Sequence, residues 1–133
     1  MKFIHKKNAF TLLEMLIVIG IMGVLIAFAV SSYSTAQKKA RDAKRKADLT
    51  AARNVMEQCY SGSATYVYPV VSASSGTLSG SCTVNAVTYT FSITDPLNTG
   101  TNIYTIQAST TSTYTLRTVL ETNATPFEVT SQQ

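Results

Sequence analysis

From Phe10 to Val30 the chain reads FTLLEMLIVIGIMGVLIAFAV, apolar or uncharged throughout except for one carboxylate, Glu14. As a helix rising about 1.5 Å per residue, such a run extends roughly 30 Å, the hydrocarbon thickness of a bilayer. This segment can span a membrane. Glu14 is the anomaly, because an acidic residue in a membrane helix costs about 2.5–3.5 kcal/mol at the bilayer centre and less nearer the interface.

Three readings of the N-terminus compete. A secretory signal peptide would use Lys2, Lys6 and Lys7 as its basic region and Ala27-Phe28-Ala29 as its cleavage site. An uncleaved anchor would use the apolar run alone. Neither has a use for Glu14. In the third reading the chain is cut between Ala9 and Phe10, which creates an α-amino group four residues ahead of Glu14. Ammonium and carboxylate from neighbouring copies then neutralise each other where a lone charge would not be tolerated. Four helical residues separate the two groups by about 6 Å along the axis, so a staggered neighbour is a better partner than the same chain.

The basic leader followed by Ala9-Phe10-Thr11-Leu12-Leu13-Glu14 and an apolar run resembles the class III signal of type IV pilins and type II secretion pseudopilins. The resemblance implies that a prepilin peptidase cuts before Phe10 and methylates its new amino group. It also implies that Glu14 pairs with a neighbour's N-terminus as a helical filament of this chain assembles on an inner-membrane platform. The implied location is a single pass through the inner membrane, N-terminus cytoplasmic, and then a filament in the periplasm or at the cell surface. Two departures stand out: Ala9 replaces the family's usual glycine, and Ser31-Ser32 follow the apolar run where many pilins have proline.

Nothing from Ser31 to Tyr60 stops a helix, and Ala, Lys, Arg, Gln and Glu all favour one. A single helix of about 50 residues, roughly 75 Å long, is the simplest expectation. Ala36, Ala40, Ala43, Ala47 and Ala51, continued by Val55 and Cys59, recur at three- and four-residue spacing and predict a small-residue face. That face would receive the C-terminal domain or a neighbour's helix. Gly23 and Ala27, with Gly20 nearby, extend the theme inside the membrane.

The same helix carries Lys38, Lys39, Arg41, Lys44, Arg45 and Lys46. Six cations here against three in the leader oppose the pilin orientation by the positive-inside rule. The pair Cys59 and Cys82, in a Ser- and Thr-rich context, argues for an oxidising compartment and keeps that orientation. For the cluster, the plainest expectation is a solvated face with Asp42–Lys46 and Lys44–Asp48 pairs. Lipid headgroups, acidic surfaces of neighbouring subunits and DNA are the other partners it admits. DNA is not favoured, because beyond Tyr60 the charges are Asp95, Arg117, Glu121 and Glu128, a net of 1 − 3 = −2.

The chain thus divides into a leader (1–9), a membrane and filament-core helix (10–30), its amphipathic continuation (31–60) and a β-rich domain (61–133). SGSATYVYPVVSASSGTLSGS reads as a loop-rich connector with a short extended piece at Tyr66–Val71. Beyond it, alternation predicts strands with Val87, Tyr89, Phe91 and Ile93, then Tyr104, Ile106 and Ala108, then Tyr114, Leu116, Thr118 and Leu120 on one face each. Pro126–Thr130 adds an edge strand. Asp95-Pro96 and Asn98-Thr99-Gly100 supply turn residues between the first two.

The fold class is therefore α+β and pilin-like: one long N-terminal helix packed on an antiparallel sheet of three to four strands. The sheet is covered by the small-residue face with Val55 and Met56. A Cys59–Cys82 bond would tie the helix end to the start of the sheet and stabilise the fold by about 3 kcal/mol. The inventory argues against an enzyme and calls for no cofactor: the only histidine, His5, lies in the leader, and no nucleophile–base set or phosphate loop is present. Calcium would find Asp95, Asn98, Asn102 and carbonyl oxygens, a thin set with one carboxylate. The expected function is a structural subunit of a pilus or secretion pseudopilus. Its rival is an exported or anchored Ser/Thr-rich binding module.

Overall fold

The computed structural model describes residues 10–133; the side chain of Ser31 and all of residues 1–9, including the Ala9 side of the expected cut, lie outside the described residues. One helix, α1 (Leu12–Gly62, 51 residues), is followed by six strands: β1 (Ser72–Ser74), β2 (Thr77–Val84), β3 (Val87–Thr94), β4 (Thr105–Ser109), β5 (Tyr114–Val119) and β6 (Pro126–Thr130). The chain forms two compact units, divided between Ala36 and Gln37.

In the first unit every described side chain is exposed. The large apolar residues of the helix, among them Leu12, Leu13, Ile17, Ile21, Leu25 and Val30, are exposed. A helix that is apolar on all sides needs lipid or other helices around it. Its start is defined locally. Thr11 stands just before the helix, where its Oγ1 accepts the Glu14 N–H at 3.2 Å and its carbonyl accepts the Met15 N–H at 3.3 Å.

In the second unit, Gln37–Gln133, the strands form two antiparallel three-stranded sheets, ordered β1-β2-β3 and β4-β5-β6. The alternation expected on β3 and β5 is present, with Phe91, Tyr114, Leu116 and Thr118 inward; on β4 a bulge between Ile106 and Ala108 breaks it, leaving Ala108 exposed, while Tyr104 is buried just before the strand. Further expectations are corrected. β3 and β4 do not pair; the Asp95–Gly100 turn residues carry the chain from one sheet to the other. Ser72–Val84 is a hairpin rather than a connector, paired through Ser72↔Ser79 and Ser74↔Thr77. β2 does alternate, Leu78, Gly80, Cys82 and Val84 against exposed Ser79, Ser81 and Thr83, but Leu78 is its one buried apolar residue and the other inward positions are small or half-buried, so the pattern is weak in the sequence. Tyr66–Val71 forms no strand; it is pinned by the Tyr68 N–H donating to the Thr111 carbonyl at 2.9 Å, and by the Tyr68 ring stacked on Tyr60 and set edge-on to Tyr114.

The core joins Leu49, Ala52 and Met56 of α1 to Tyr68, Val71, Leu78, Phe91, Tyr104, Tyr114, Leu116 and Val129. Burial of a Leu or Met of this kind contributes about 1.5–3 kcal/mol. The face of α1 that packs is therefore Asp42, Arg45, Leu49, Ala52, Met56 and Cys59. The alanine stripe does not do it: Ala40, Ala43, Ala47 and Ala51 are all exposed. The reason is helical drift. At about 100° per residue, the 19 residues from Ala40 to Cys59 turn the stripe through roughly 100° beyond whole turns, so its two ends face different ways. Val55 is half-buried at the margin, and Met56 packs centrally.

Both hairpin turns of the first sheet place two consecutive residues at positive φ: Ser75 and Gly76 between β1 and β2, Asn85 and Ala86 between β2 and β3. The second pair strains Ala86, at φ 66°, because a Cβ is disfavoured in that region. Ala86→Gly is accordingly expected to raise stability by about 0.5–1 kcal/mol, read as a higher midpoint in urea with unchanged slope.

Candidate functional site

At the N-terminal end the structure places Phe10 just before the helix, 71% exposed, and Glu14 exposed in the first turn. Thr11-x-x-Glu14 has the spacing of a capping box, and an acid in a first turn is favoured by the helix dipole. Glu14 therefore has a local role beside the intermolecular one expected of it. Ala9 lies outside the described residues.

The basic stretch of α1 is not a uniform solvated face. Arg45 is 0% exposed and meets three carboxylates. Its Nε and Nη2 donate to Asp95 Oδ2 and Oδ1 at 2.7 and 2.8 Å, and its Nη1 donates to Asp42 Oδ1 at 2.9 Å and Glu121 Oε1 at 2.6 Å. Arg41 grips the same Glu121 through Nε at 2.8 Å and Nη2 at 2.5 Å. Asp42 also accepts the Glu121 N–H at 2.8 Å, the Thr122 N–H at 2.9 Å and the Thr122 hydroxyl. Two guanidinium groups thus bind α1 to the β3–β4 crossover and to the turn between β5 and β6. The expected Asp42–Lys46 and Lys44–Asp48 pairs are absent from the ion pairs of the described residues, because Asp42 is taken by this network and Asp48 accepts the Tyr104 hydroxyl at 2.9 Å.

The network sets the titration of its acids. Burial pushes Asp42 up, but hydrogen bonds from Thr122, the Glu121 and Thr122 backbone and Arg45 outweigh it and bring it down from 3.8 to about 2. Hydrogen bonds from Arg41, then Arg45, overcome burial and lower Glu121 from 4.5 to about 2. Asp95 is lowered as well, the Arg45 hydrogen bonds and the Leu97 and Asn98 N–H groups overcoming its burial. Depressed carboxylates stabilise the folded state once ionised in the unfolded chain too, and lose that advantage as they become protonated. Stability is expected to be level above about pH 5 and to fall steadily as pH drops from about 4.5 toward 2, measured by urea unfolding across that window.

The residues offered for calcium are otherwise occupied or turned to local structure. Asp95 holds Arg45 with both oxygens and receives the Leu97 and Asn98 N–H groups at 2.9 and 3.2 Å. Asn98 adopts φ 49°, and Asn102 closes a bridge onto Thr99. A calcium ion at Asp95 would have to displace a guanidinium. Cys59 and Cys82 are joined by a disulfide across 23 residues.

Four cations remain. Lys38, Lys39, Lys44 and Lys46 are exposed and make no ion pair among the described residues. The acids of α1 that might have balanced them are turned inward: Asp48 to Tyr104, Glu57 to the hydroxyls of Tyr68 and Tyr114 at 2.9 Å each. Burial and then the Glu57 hydrogen bond push Tyr68 up to about 12, and move Tyr114 in the same direction. The sequence shows six cations within nine residues; only the fold separates the two structural arginines from the four exposed lysines.

A long N-terminal helix with a fully exposed apolar half, begun by a Phe-Thr-x-x-Glu turn and continued into a disulfide-tied unit of small antiparallel sheets, defines the type IV pilin class. Residues 4–30 match the prokaryotic N-terminal methylation motif, and residues 31–132 match the family described as type IV minor pilin ComP, DNA uptake sequence receptor. The chain belongs to that family of type IV pilins. No curated protein and no solved structure matches it.

Proposed function

We propose that this chain is a minor subunit of a type IV pilus that is cut between Ala9 and Phe10, methylated at Phe10, and assembled through α1 with Glu14 setting the stagger. The observation that carries the reading is the apolar half of α1, whose large side chains are all exposed in the isolated chain and need either lipid or other pilin helices. Lipid covers the stored subunit, and neighbouring helices cover the assembled one. The second unit lies outside the cytoplasm, where its disulfide persists. Arg41 and Arg45 are engaged by carboxylates, which weakens the objection from the positive-inside rule.

The family description favours a DNA-uptake pilus over a secretion pseudopilus, and the four exposed lysines on α1 give DNA an electrostatic footing. Intact mass and N-terminal sequencing of the protein recovered from membranes should give a chain that begins at methylated Phe10. Glu14→Ala should remain in the membrane yet be missing from sheared filaments. Deletion should reduce uptake of labelled DNA and leave protein secretion intact. A chain beginning at Val30, or normal incorporation of Glu14→Ala, would overturn the assembly reading; unchanged DNA uptake would overturn the receptor reading alone.

A further inference from the structure

Between α1 and the turn that joins β5 to β6 runs an open groove of about 310 Å³, walled by Lys39, Ala43 and Lys46 on one side and by Thr122 and Asn123 on the other. We propose that this groove seats the phosphodiester backbone of double-stranded DNA, with Lys39 and Lys46 on phosphates of one strand. The proposal rests on the DNA-uptake reading and says where on this chain the contact lies.

Four observations converge on it. Lys39, Ala43 and Lys46 follow i, i+4, i+7 and share one face of α1. Seven residues of helix separate the two lysines by about 10.5 Å along the axis, a span over which two long side chains can reach separate phosphates of one strand. Ala43, exposed between them, leaves room for a strand to lie against the helix. Lys46 is also positioned, its ammonium 5.7 Å above the Phe127 ring.

The groove also holds one acid, Asp42, whose oxygens are taken by partners other than the lysines. Asp42 has Oδ1 bonded to the Arg45 guanidinium and the Glu121 N–H, and Oδ2 bonded to the Thr122 N–H and hydroxyl. Its oxygens are engaged within the network, and no ion pair joins it to Lys39 or Lys46 among the described residues. On the far wall, Asn123 Oδ1 accepts the Thr125 N–H at 3.4 Å and hydroxyl at 2.8 Å. That fixes the amide oxygen of a residue that lines the groove. Lysines and one amide recognise phosphate oxygens and carry no base-edge code, so the groove supplies affinity and register rather than sequence preference.

The test uses the full chain in nanodiscs of neutral phosphatidylcholine and a fluorescein-labelled duplex of random sequence, followed by anisotropy across a range of NaCl. Lys39→Gln/Lys46→Gln should weaken binding by at least about tenfold at low salt and reduce the slope of log K against log [NaCl] by about 1.8, near 0.9 for each lost phosphate contact. Asn123→Ala should weaken binding roughly two- to tenfold with the slope unchanged. Lys38→Gln/Lys44→Gln removes the same charge outside the groove and should change the slope less.

Equal loss in the two double variants, or none in Lys39→Gln/Lys46→Gln, would overturn the groove while wild-type binding preserved the DNA reading. Suppose instead that the wild type binds no duplex, and that added phosphatidylglycerol protects Lys39 and Lys46 from acetylation. That result would overturn both and assign the lysines to lipid headgroups. Near-UV dichroism of the tyrosines confirms that each variant is folded.

Discussion

Arg45→Ala is expected to destabilise the Gln37–Gln133 unit by about 3–5 kcal/mol, the usual cost of removing one partner from a buried ion pair. The magnitude follows from what is left behind. Asp95 loses both guanidinium hydrogen bonds while its side chain stays 0% exposed, and Glu121 and Asp42 each lose one. Three carboxylates then share a buried region with Arg41, whose fork reaches only Glu121. Asp95 keeps the Leu97 and Asn98 N–H groups, which do not supply a charge. Arg41→Ala should cost visibly less, because Arg41 is partly exposed and Glu121 retains Arg45. Urea unfolding followed by near-UV dichroism is the suitable measurement, since α1 in a micelle dominates the far-UV signal whereas Tyr68, Tyr104 and Tyr114 report the core. A loss no larger than that of Arg41→Ala would mean that Arg45 is not the centre of the network. The acid profile of the variant supplies a second check: without the guanidinium, Asp95 and Glu121 should no longer be held as low, and the fall in stability should begin at higher pH.

Why Arg45 was invisible in the sequence is instructive in physical terms. Six cations in nine residues read as solvated because Lys and Arg are rarely buried without partners, and its two distant partners, Asp95 and Glu121, lie 50 and 76 positions away. A usable signal was nevertheless present. A cysteine bonded to the sheet must face it, and stepping back from Cys59 by three and four gives Met56, Ala52, Leu49, Arg45 and Asp42, the face that packs. The alanines drew attention because they were many; the residues that decide the face were few and mixed. The strands divide the same way. β3 and β5 were legible because Phe91, Tyr114 and Leu116 alternate with polar residues, whereas β1 and β2 have little to bury and are defined by pairing and turns. The Phe10–Glu14 segment was legible at once, since a lone acid in an apolar run has few explanations. The lysine groove was not, because its far wall, Thr122 and Asn123, is brought to α1 only by the fold.

Replacing both cysteines with alanine is expected to cost about 3 kcal/mol, from the entropy of a loop spanning 23 residues, and to loosen one sheet before the other. Alanine is the better choice than serine because Cys59 is 1% exposed and a hydroxyl there would need a partner. The first sheet has a slender hold on the core, through Leu78 and Phe91, with Gly80 facing Phe91 across the β2–β3 pair. Cys82 sits beyond those contacts, two pairs before the turn, so the disulfide fastens the part of the hairpin that apolar burial does not reach. The second sheet has Tyr114, Leu116 and Val129 in the core and the Glu57 hydrogen bonds to hold it. Hydrogen exchange should therefore show faster opening of the Thr83 and Thr88 amides, with β5 nearer its original protection. Uniform acceleration across both sheets would instead make the bond a fastener of the whole unit, and a loss below about 1 kcal/mol would contradict the loop-entropy argument. Either of the first two outcomes makes the unit depend on oxidation, so a subunit whose cysteines cannot pair should reach the filament in smaller amount than one that folds outside the reducing cytoplasm.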